Sequence, residues 1–339
     1  MGIFNNLFDI DSRDNYAVMG LNKELNSLYI YNYFIKNKKN NLVITNSLYE
    51  ANDVYNRLLN YTNKVLFFPM DDFITSEVTD ISPEFVIDRL TTLNKLLGSG
   101  KYIVVTNLMG ILRYLPNTKL YKNKIIDINK DMDIDRDDFI NKLFDLGYEK
   151  KPVVSRTGEM AIRGYVIDIF PIEFDNPIRI EFWGDTIDSI KYFDLEDQIS
   201  NTSIDSVKIY PYTEFLIDEK IEDNIIRKQK YLLNYSDSVS GLWNYVSDSV
   251  IFYYDYNQII NSYSLLRENI LEYDSELDDD IKTNYMWNIE DISNKHNIYI
   301  LDIDNLIDLD VNNKKYVSHS IENYCGNFEK LKLDLIRYI

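Results

Sequence analysis

Residues 20–27 carry the first pattern in the sequence that could do chemistry, because they resemble a P-loop. A P-loop holds the phosphates of ATP or GTP with backbone N–H groups and one lysine, in eight residues that begin with glycine and end with a hydroxyl. Gly20 and Ser27 fit this pattern, but Leu25 stands at the second glycine and Asn26 at the lysine. The close backbone approach to phosphate and the principal cation are both lost. The sequence therefore predicts a degenerate phosphate loop that binds no nucleotide.

Residues 177–183 form the second informative pattern, an alternation typical of a β-strand. Successive side chains of a strand point to opposite faces, which predicts a buried face with Ile178, Ile180 and Phe182 and an exposed face with Arg179, Glu181 and Trp183. Exposed arginine and tryptophan have the composition of a protein-binding hot spot, which is one interpretation of this face. The alternative is that Trp183 covers a sheet edge and Arg179 pairs with Glu181 in solvent, for about 0–1 kcal/mol. A second predicted strand, 161–170, adds Arg163, and Gly164 beside it permits close backbone approach.

Other patterns give no support for catalysis or for metal binding. Aspartates at every second position from Asp131 imitate the start of an EF-hand calcium loop, but Arg136 replaces its glycine and Lys142 its final glutamate. We interpret residues 127–138 as a solvated acidic linker. One cysteine and two distant histidines make neither a disulfide framework nor a zinc cluster. We expect no catalytic residue, no metal and no cofactor.

Composition limits the classes of function further. The chain has 339 residues, of which 45% are hydrophobic and 27% charged, as in folded proteins of two or three domains. Its net charge of -19 has the wrong sign for direct, high-affinity DNA binding through phosphates. No stretch approaches the roughly 18 apolar residues that a membrane span needs. A chain with one cysteine fits the reducing cytoplasm best.

The elements that position these patterns follow a βα alternation at both ends of the chain. Buried strands and amphipathic helices up to residue 126 predict a parallel α/β domain, with a helix capped by Ser82 and opened by Pro83. Short strands and turn signals predict a β-rich domain over residues 127–211. Strands at 249–254 and 297–301 return to the α/β pattern within residues 212–339. We therefore expect domains 1–126, 127–211 and 212–339, the middle one inserted into a discontinuous α/β domain.

Three segments together resemble a known family. Residues 158–171, 177–185 and 189–198 are similar to the UvrA-interaction domain shared by transcription-repair coupling factors (Mfd) and the excision helicase UvrB. Residues 68–69, 82–90 and 106–116 resemble the α/β parts of the same proteins. The resemblance implies an α/β protein: a degenerate P-loop domain of RecA or helicase type in two segments, with an inserted small β-rich (α+β) UvrA-interaction domain.

Departures from UvrB point to the coupling factors. A UvrB-like protein would carry an intact P-loop and an acidic pair after the strand ending at Tyr254, where this chain has Asp255-Tyr256-Asn257. Ala161 also stands where UvrB-like proteins tend to carry arginine. The resemblance therefore implies the UvrB-like N-terminal module of a coupling factor, whose contacts with UvrA match these positions: Arg163, Arg179 and Trp183, and more weakly Glu181.

The resulting hypothesis is a non-catalytic adaptor that recruits UvrA in transcription-coupled nucleotide excision repair. The alternatives are a nucleotide-dependent, UvrB-like DNA-remodelling helicase with an unusual P-loop, and a folded remnant without a partner. Residues 324–331 resemble the junction to further domains, so we expect an isolated N-terminal part without RNA polymerase binding or translocation. We expect Arg179→Glu to weaken UvrA binding most while changing folding by no more than about 0.5 kcal/mol, as for an exposed residue.

Overall fold

The structure, a computed structural model, describes residues 7–10, 15–71, 82–218, 232–236, 238–276, 284–292, 296–301, 311–318 and 327–338. Residues 324–326 of the junction motif, including Cys325, lie outside these ranges. The first part of the chain contains β1 (Tyr16–Met19), α1 (Lys23–Asn37), β2 (Asn40–Thr45), α2 (Leu48–Leu59), β3 (Val65–Phe68), α3 (Pro83–Leu96), β4 (Ile103–Asn107), α4 (Leu108–Ile111), β5 (Leu115–Pro116) and α5 (Thr118–Lys124).

The middle part contains β6 (Ile126–Asn129), α6 (Arg136–Asp145), β7 (Glu149–Lys150), β8 (Glu159–Arg163), β9 (Val166–Ile169), β10 (Ile178–Trp183), β11 (Thr186–Phe193), β12 (Ser200–Ile204) and β13 (Ser206–Ile209). The last part contains α7 (Leu232–Tyr235), β14 (Val239–Ser240), α8 (Leu242–Tyr245), β15 (Ser249–Tyr254), α9 (Tyr256–Glu276), a short 3-10 helix (Ile289–Asp291), β16 (Asn297–Leu301), β17 (Asn312–Lys315) and α10 (Phe328–Tyr338).

A parallel sheet unites the first and last parts of the chain. Within the described residues it has seven strands in the order β17-β1-β16-β15-β2-β4-β3. Strand β1 lies between β16 and β17, and β2 pairs with β15, so neither part completes the sheet alone. Strand β2 is buried along its whole length, as expected where helices cover both faces. The expected α/β domain in two segments, with an insertion, is confirmed.

Helix α3 begins as the sequence predicts, with Ser82 at the N-cap, but without a side-chain capping bond. Pro83 occupies its first turn, where the missing N–H of proline is not needed. Ser82 stands at the N-cap, as predicted, and its carbonyl accepts the first bonds of the helix from the N–H groups of Phe85 and Val86, but its side chain makes no capping hydrogen bond. Leu90 and other apolar residues on one face pack against the sheet.

The inserted domain is built on a second, mixed sheet. Six strands in the order β12-β11-β10-β9-β8-β7 form it in the part of the chain that the structure describes, and β7 and β8 pair in parallel while the other pairs are antiparallel. Helix α6 and the small sheet β6-β13 share a hydrophobic core with one face, through residues such as Phe139, Ile167 and Ile180. This is the small α+β domain that the sequence predicts.

The acidic stretch 127–138 is part of the fold, so its interpretation as a linker was wrong. Strand β6 pairs with β13, and Ile128 is fully buried because apolar and polar residues alternate there. Asp135 accepts a 2.7 Å hydrogen bond from the Asp138 N–H and thereby caps α6. The carboxylates of Asp131 and Asp133 remain exposed. Alternating aspartates here mark turns and a cap on the surface of an ordered domain.

Residues 161–170 also differ from the sequence-based expectation of a single strand. They form a hairpin in which Arg163 of β8 pairs with Val166 of β9. Gly164 adopts a positive φ of 56°, which a two-residue turn requires at this position and which glycine tolerates best. Gly164 therefore reverses the chain, and this brings Arg163 and β9 side by side.

A buried ionic cluster connects the inserted domain to the α/β domain. Glu214 follows the inserted domain and lies between Arg89 of α3 and Arg113, with N–O distances of 2.9 Å and 2.7 Å. The carboxylate is 4% exposed and the Arg89 side chain 1%. Burial raises the pKa of Glu214, but the attraction of Arg113 and Arg89 outweighs burial and sets it at about 2. The cluster therefore depends on an ionised Glu214.

Candidate docking site and the phosphate-loop position

Strand β10 presents its two faces as the alternation predicts. Ile178, Ile180 and Phe182 are buried in the core of the inserted domain. Arg179 and Glu181 are partly buried on the opposite face, and the Trp183 side chain at the end of the strand is 83% exposed. We call this opposite face of β8, β9 and β10 the outer face.

Arg179 is bound within the outer face by a residue that the sequence patterns did not single out, Asp168 of β9. The two residues are cross-strand partners. Arg179 donates from Nε to Asp168 Oδ1 at 2.7 Å and from Nη2 to Oδ2 at 3.0 Å. Its Nη1 donates to the Gln198 carbonyl at 3.1 Å, and its guanidinium lies 4.7 Å from the centre of the Phe193 ring. The hydrogen bond to Asp168 is the main reason that the pKa of Arg179 is raised.

Glu181 has a different partner from the one proposed for it. Its carboxylate lies 2.7 Å from Lys191 Nζ of β11 and also accepts a hydrogen bond from Ser189. The bond from Lys191 is the first cause of the lowered pKa of Glu181. The alternative that Arg179 pairs with Glu181 was therefore wrong, because Arg179 bonds towards β9 and Glu181 towards β11.

Arg163 and Trp183 are the most accessible of the four predicted contact residues. Arg163 Nη2 lies 3.4 Å from Asp168 Oδ2, and the Arg163 side chain is 45% exposed. Trp183 precedes a second two-residue turn, where Gly184 has a positive φ of 63°. The structure therefore joins Arg163 and Arg179 through one carboxylate and leaves the indole in solvent.

Tyr165 is a second residue of this region that the sequence patterns did not single out. It lies in the Gly164 turn, is 67% exposed, and accepts a 2.8 Å hydrogen bond from the Phe182 N–H at its carbonyl. The signal for Asp168 was present in the sequence, because a carboxylate between Ile167 and Ile169 in a predicted strand needs a partner. Nothing in the local pattern indicated which cation this partner is.

Residues 20–27, which the sequence predicts to be a degenerate phosphate loop, begin in the turn between β1 and α1 and continue into the helix. Gly20, with a φ of 82°, ends β1, and Asn22 caps α1 by accepting a 2.9 Å hydrogen bond from the Leu25 N–H. Ser318 bridges the loop, since its hydroxyl accepts from the Asn22 N–H at 2.8 Å and donates to the Gly20 carbonyl at 2.7 Å. Protein side chains thus bind the N–H groups of Asn22 and Leu25 and the carbonyl of Gly20 in this turn.

Asn26 and Ser27 lie inside helix α1 and face the protein. Asn26 is 7% exposed, and its side-chain nitrogen lies 3.4 Å from the Tyr254 hydroxyl. Ser27 is fully buried and donates to the Lys23 carbonyl. Both side chains act in packing between α1 and its surroundings.

No group of three or more histidine, cysteine, aspartate or glutamate side chains is placed to hold a metal ion within the described ranges. Over the same part of the chain, none of the helices combines the length and the apolar character needed to cross a membrane.

Comparison with known proteins gives matches in the inserted domain and along most of the chain. Residues 126–215 match the family model of the UvrB interaction domain. The chain is 34% identical over 220 residues to the transcription-repair-coupling factor of Staphylococcus haemolyticus. The aligned region covers 64% of this chain and 19% of that protein. It is 32% identical over 235 residues to the transcription-repair-coupling factor of Staphylococcus epidermidis, and this alignment covers 69% of this chain and 20% of that protein. The chain thus matches only about a fifth of the length of these curated relatives.

Proposed function

We propose that this chain, which carries a UvrB interaction domain and resembles transcription-repair coupling factors over most of its length, docks UvrA through the outer face of that domain. In this function it recruits the repair machinery and performs no catalysis itself. The observation that carries the proposal is the exposure of Trp183 and Arg163 on one ordered sheet. Tryptophan and arginine are the residues that most often dominate the energy of protein interfaces.

Rigid support of the exposed residues favours docking over accidental exposure. The β10-β11 turn that follows Trp183 is held by the segment before α6. The Ile134 N–H donates to the Asp185 carbonyl at 2.8 Å, and Thr186 donates to Asp133 at 2.5 Å. A side chain presented by an ordered turn loses less conformational freedom on binding than one on a mobile loop. This ordered support favours the Trp183 indole as an anchor for a partner.

The non-catalytic part of the proposal is supported by the phosphate-loop position. The turn between β1 and α1 lacks the second glycine and the lysine of a P-loop, and the N–H groups of Asn22 and Leu25 are bound by the Ser318 hydroxyl and the Asn22 side chain. Strand β15 is followed by Asp255, whose carboxylate accepts a 2.6 Å hydrogen bond from the Gln258 amide. These contacts favour an adaptor over a UvrB-like helicase.

Calorimetric titration of the purified chain with UvrA from the same organism tests the function. We expect binding at micromolar concentrations or tighter, and at least a tenfold loss, about 1.4 kcal/mol, for Trp183→Ala and for Arg163→Ala. Tyr49→Ala is the matched control, because Tyr49 is 79% exposed on α2, in the other domain. A folded wild-type chain that does not bind UvrA would contradict the proposal and favour a remnant without a partner.

A further inference from the structure

A single buried carboxylate on the outer face is shared by two arginines of unequal exposure. Asp168 is 1% exposed, while the Arg179 side chain is 16% and the Arg163 side chain 45% exposed. Two guanidinium groups and one carboxylate carry a net charge of +1. Because Asp168 forms its shorter contacts with Arg179, the excess positive charge is located at Arg163, on the solvent side.

Arg179 has its donors engaged within the domain. Its Nε and Nη2 bind Asp168, its Nη1 binds the Gln198 carbonyl, and Phe193 covers one face of the guanidinium. An arginine bound in this way fixes the position of the carboxylate, since the paired geometry allows little rotation. The main role of Arg179 is therefore to hold the Asp168 carboxylate in place.

Arg163 is attached to the same carboxylate at one end only. Nη2 lies 3.4 Å from Asp168 Oδ2 in an ion-pair contact, and the Arg163 side chain donates no hydrogen bond to the described residues. Guanidinium carries five N–H donors, so the solvent-facing edge retains enough of them for a paired contact with a carboxylate. An arginine oriented before binding also loses less side-chain freedom when the partner arrives.

We propose that Asp168 is a positioning residue of the docking surface, which orients Arg163 towards a carboxylate of the partner while Arg179 holds Asp168 in place. This inference rests on the proposed UvrA-docking function. The partner surface that fits is an acidic side chain beside an apolar pocket, because Arg163 and the exposed Trp183 belong to the same face. The roles of the two arginines differ: Arg163 makes the contact and Arg179 supports it.

A double-mutant cycle on UvrA binding tests this division. The variants are Arg163→Ala, Asp168→Asn and both together, each titrated with UvrA. We expect Arg163→Ala to weaken binding at least tenfold in the wild-type background and less than about twofold once Asp168 is Asn. An equal loss in both backgrounds would overturn the proposal, because Asp168 would then act without Arg163.

Asp168→Asn leaves Arg179 without its anion and could prevent folding. If the Asp168→Asn protein does not fold, the cycle is measured in the Asp168→Asn/Arg179→Gln protein, in which both charges of the buried pair are removed together. The same criterion applies there: a small loss on Arg163→Ala supports positioning by Asp168, and an undiminished loss overturns it.

A measurement without UvrA separates this inference from the proposed function. We expect 15N relaxation at Arg163 Nε to show a lower order parameter in the Asp168→Asn protein, or in the Asp168→Asn/Arg179→Gln protein, than in the wild type. Unchanged order would overturn the positioning role even if UvrA binds. A decrease in order together with no UvrA binding would support the positioning role and contradict the docking function.

Discussion

Asp168 and Arg179 face each other on neighbouring strands and are joined by two hydrogen bonds, of 2.7 Å and 3.0 Å. Because Asp168 is 1% exposed and Arg179 16%, this is an internal ion pair of the inserted domain. The expectation that Arg179→Glu leaves folding unchanged had a wrong premise, since Arg179 is not a solvent-exposed residue. Arg179 remains a predicted contact, and its first role is structural.

Arg179→Glu should destabilise the protein strongly. The substitution removes the cation from a buried carboxylate and places a second carboxylate beside it, and breaking such a pair costs about 3–5 kcal/mol. Urea unfolding followed by circular dichroism measures the effect. Arg163→Ala is the control, because Arg163 is 45% exposed and should change stability by less than about 1 kcal/mol. Equal unfolding midpoints for Arg179→Glu and wild type would show that the ion pair does not stabilise the fold.

Phe182→Ala and Trp183→Ala should have opposite consequences, although the two residues are neighbours in the chain. Phe182 is 5% exposed and packs against Phe139, with 6.1 Å between ring centres, so its truncation should cost about 3–5 kcal/mol. Trp183 is 83% exposed, and its truncation should change stability by no more than about 0.5 kcal/mol while weakening UvrA binding. Thermal melts of both variants decide this. Similar melting temperatures would mean that the faces of β10 are assigned incorrectly.

Stability should fall at acid pH through Glu214. Its pKa is about 2 in the folded protein and 4.5 as its ordinary value, so the unfolded chain binds the proton more readily. The contribution of Glu214 to folding is therefore complete above pH 4.5 and is lost as the pH falls towards 2. Urea unfolding between these pH values should show a flatter pH dependence for Glu214→Gln than for wild type. Parallel curves would argue against ionised Glu214 as the source.

Glu214→Gln should also lower stability at neutral pH. The amide leaves Arg89 and Arg113 buried without an anion, at a cost of about 3–5 kcal/mol. Since Arg113 is only 6% exposed, water cannot readily solvate the charge of its guanidinium group. Unfolding midpoints at pH 7 measure this loss. An unchanged midpoint would show that the cluster contributes nothing net to stability.

The purified chain should neither bind nor hydrolyse ATP, with or without DNA. Neither Leu25 nor Asn26 can supply what a P-loop needs, and Ser318 binds the turn at Gly20 and Asn22. Calorimetry with Mg-ATP and a phosphate-release assay with DNA are the measurements. Turnover that disappears on Asn26→Ala or Ser27→Ala would favour the UvrB-like helicase instead.

Local patterns in the sequence were sufficient for the two faces of β10 and for the start of α3, but not for the ordered stretch 127–138 or for the hairpin within residues 161–170. The alternation over residues 178–183 predicted which side chains are buried, and Pro83 predicted the start of α3. Both are short-range properties, set by the twofold period of a strand and by the chemistry of a helix end. The resemblance of residues 158–198 to a known domain also lies in the sequence alone, and it indicated the partner class.

Only the tertiary structure decided which charges meet. Arg179 has Glu181 two positions away, yet it binds Asp168, 11 residues away, because the Gly164 hairpin and the register of β9 and β10 bring them together. Glu214 lies 125 residues from Arg89 and depends on how the inserted domain meets the α/β domain. Ion pairs depend on distances of a few ångströms, and strand register and domain packing set those distances. Periodicity in the sequence shows which face of a strand a side chain lies on, but it does not show which residue of another strand or domain it meets.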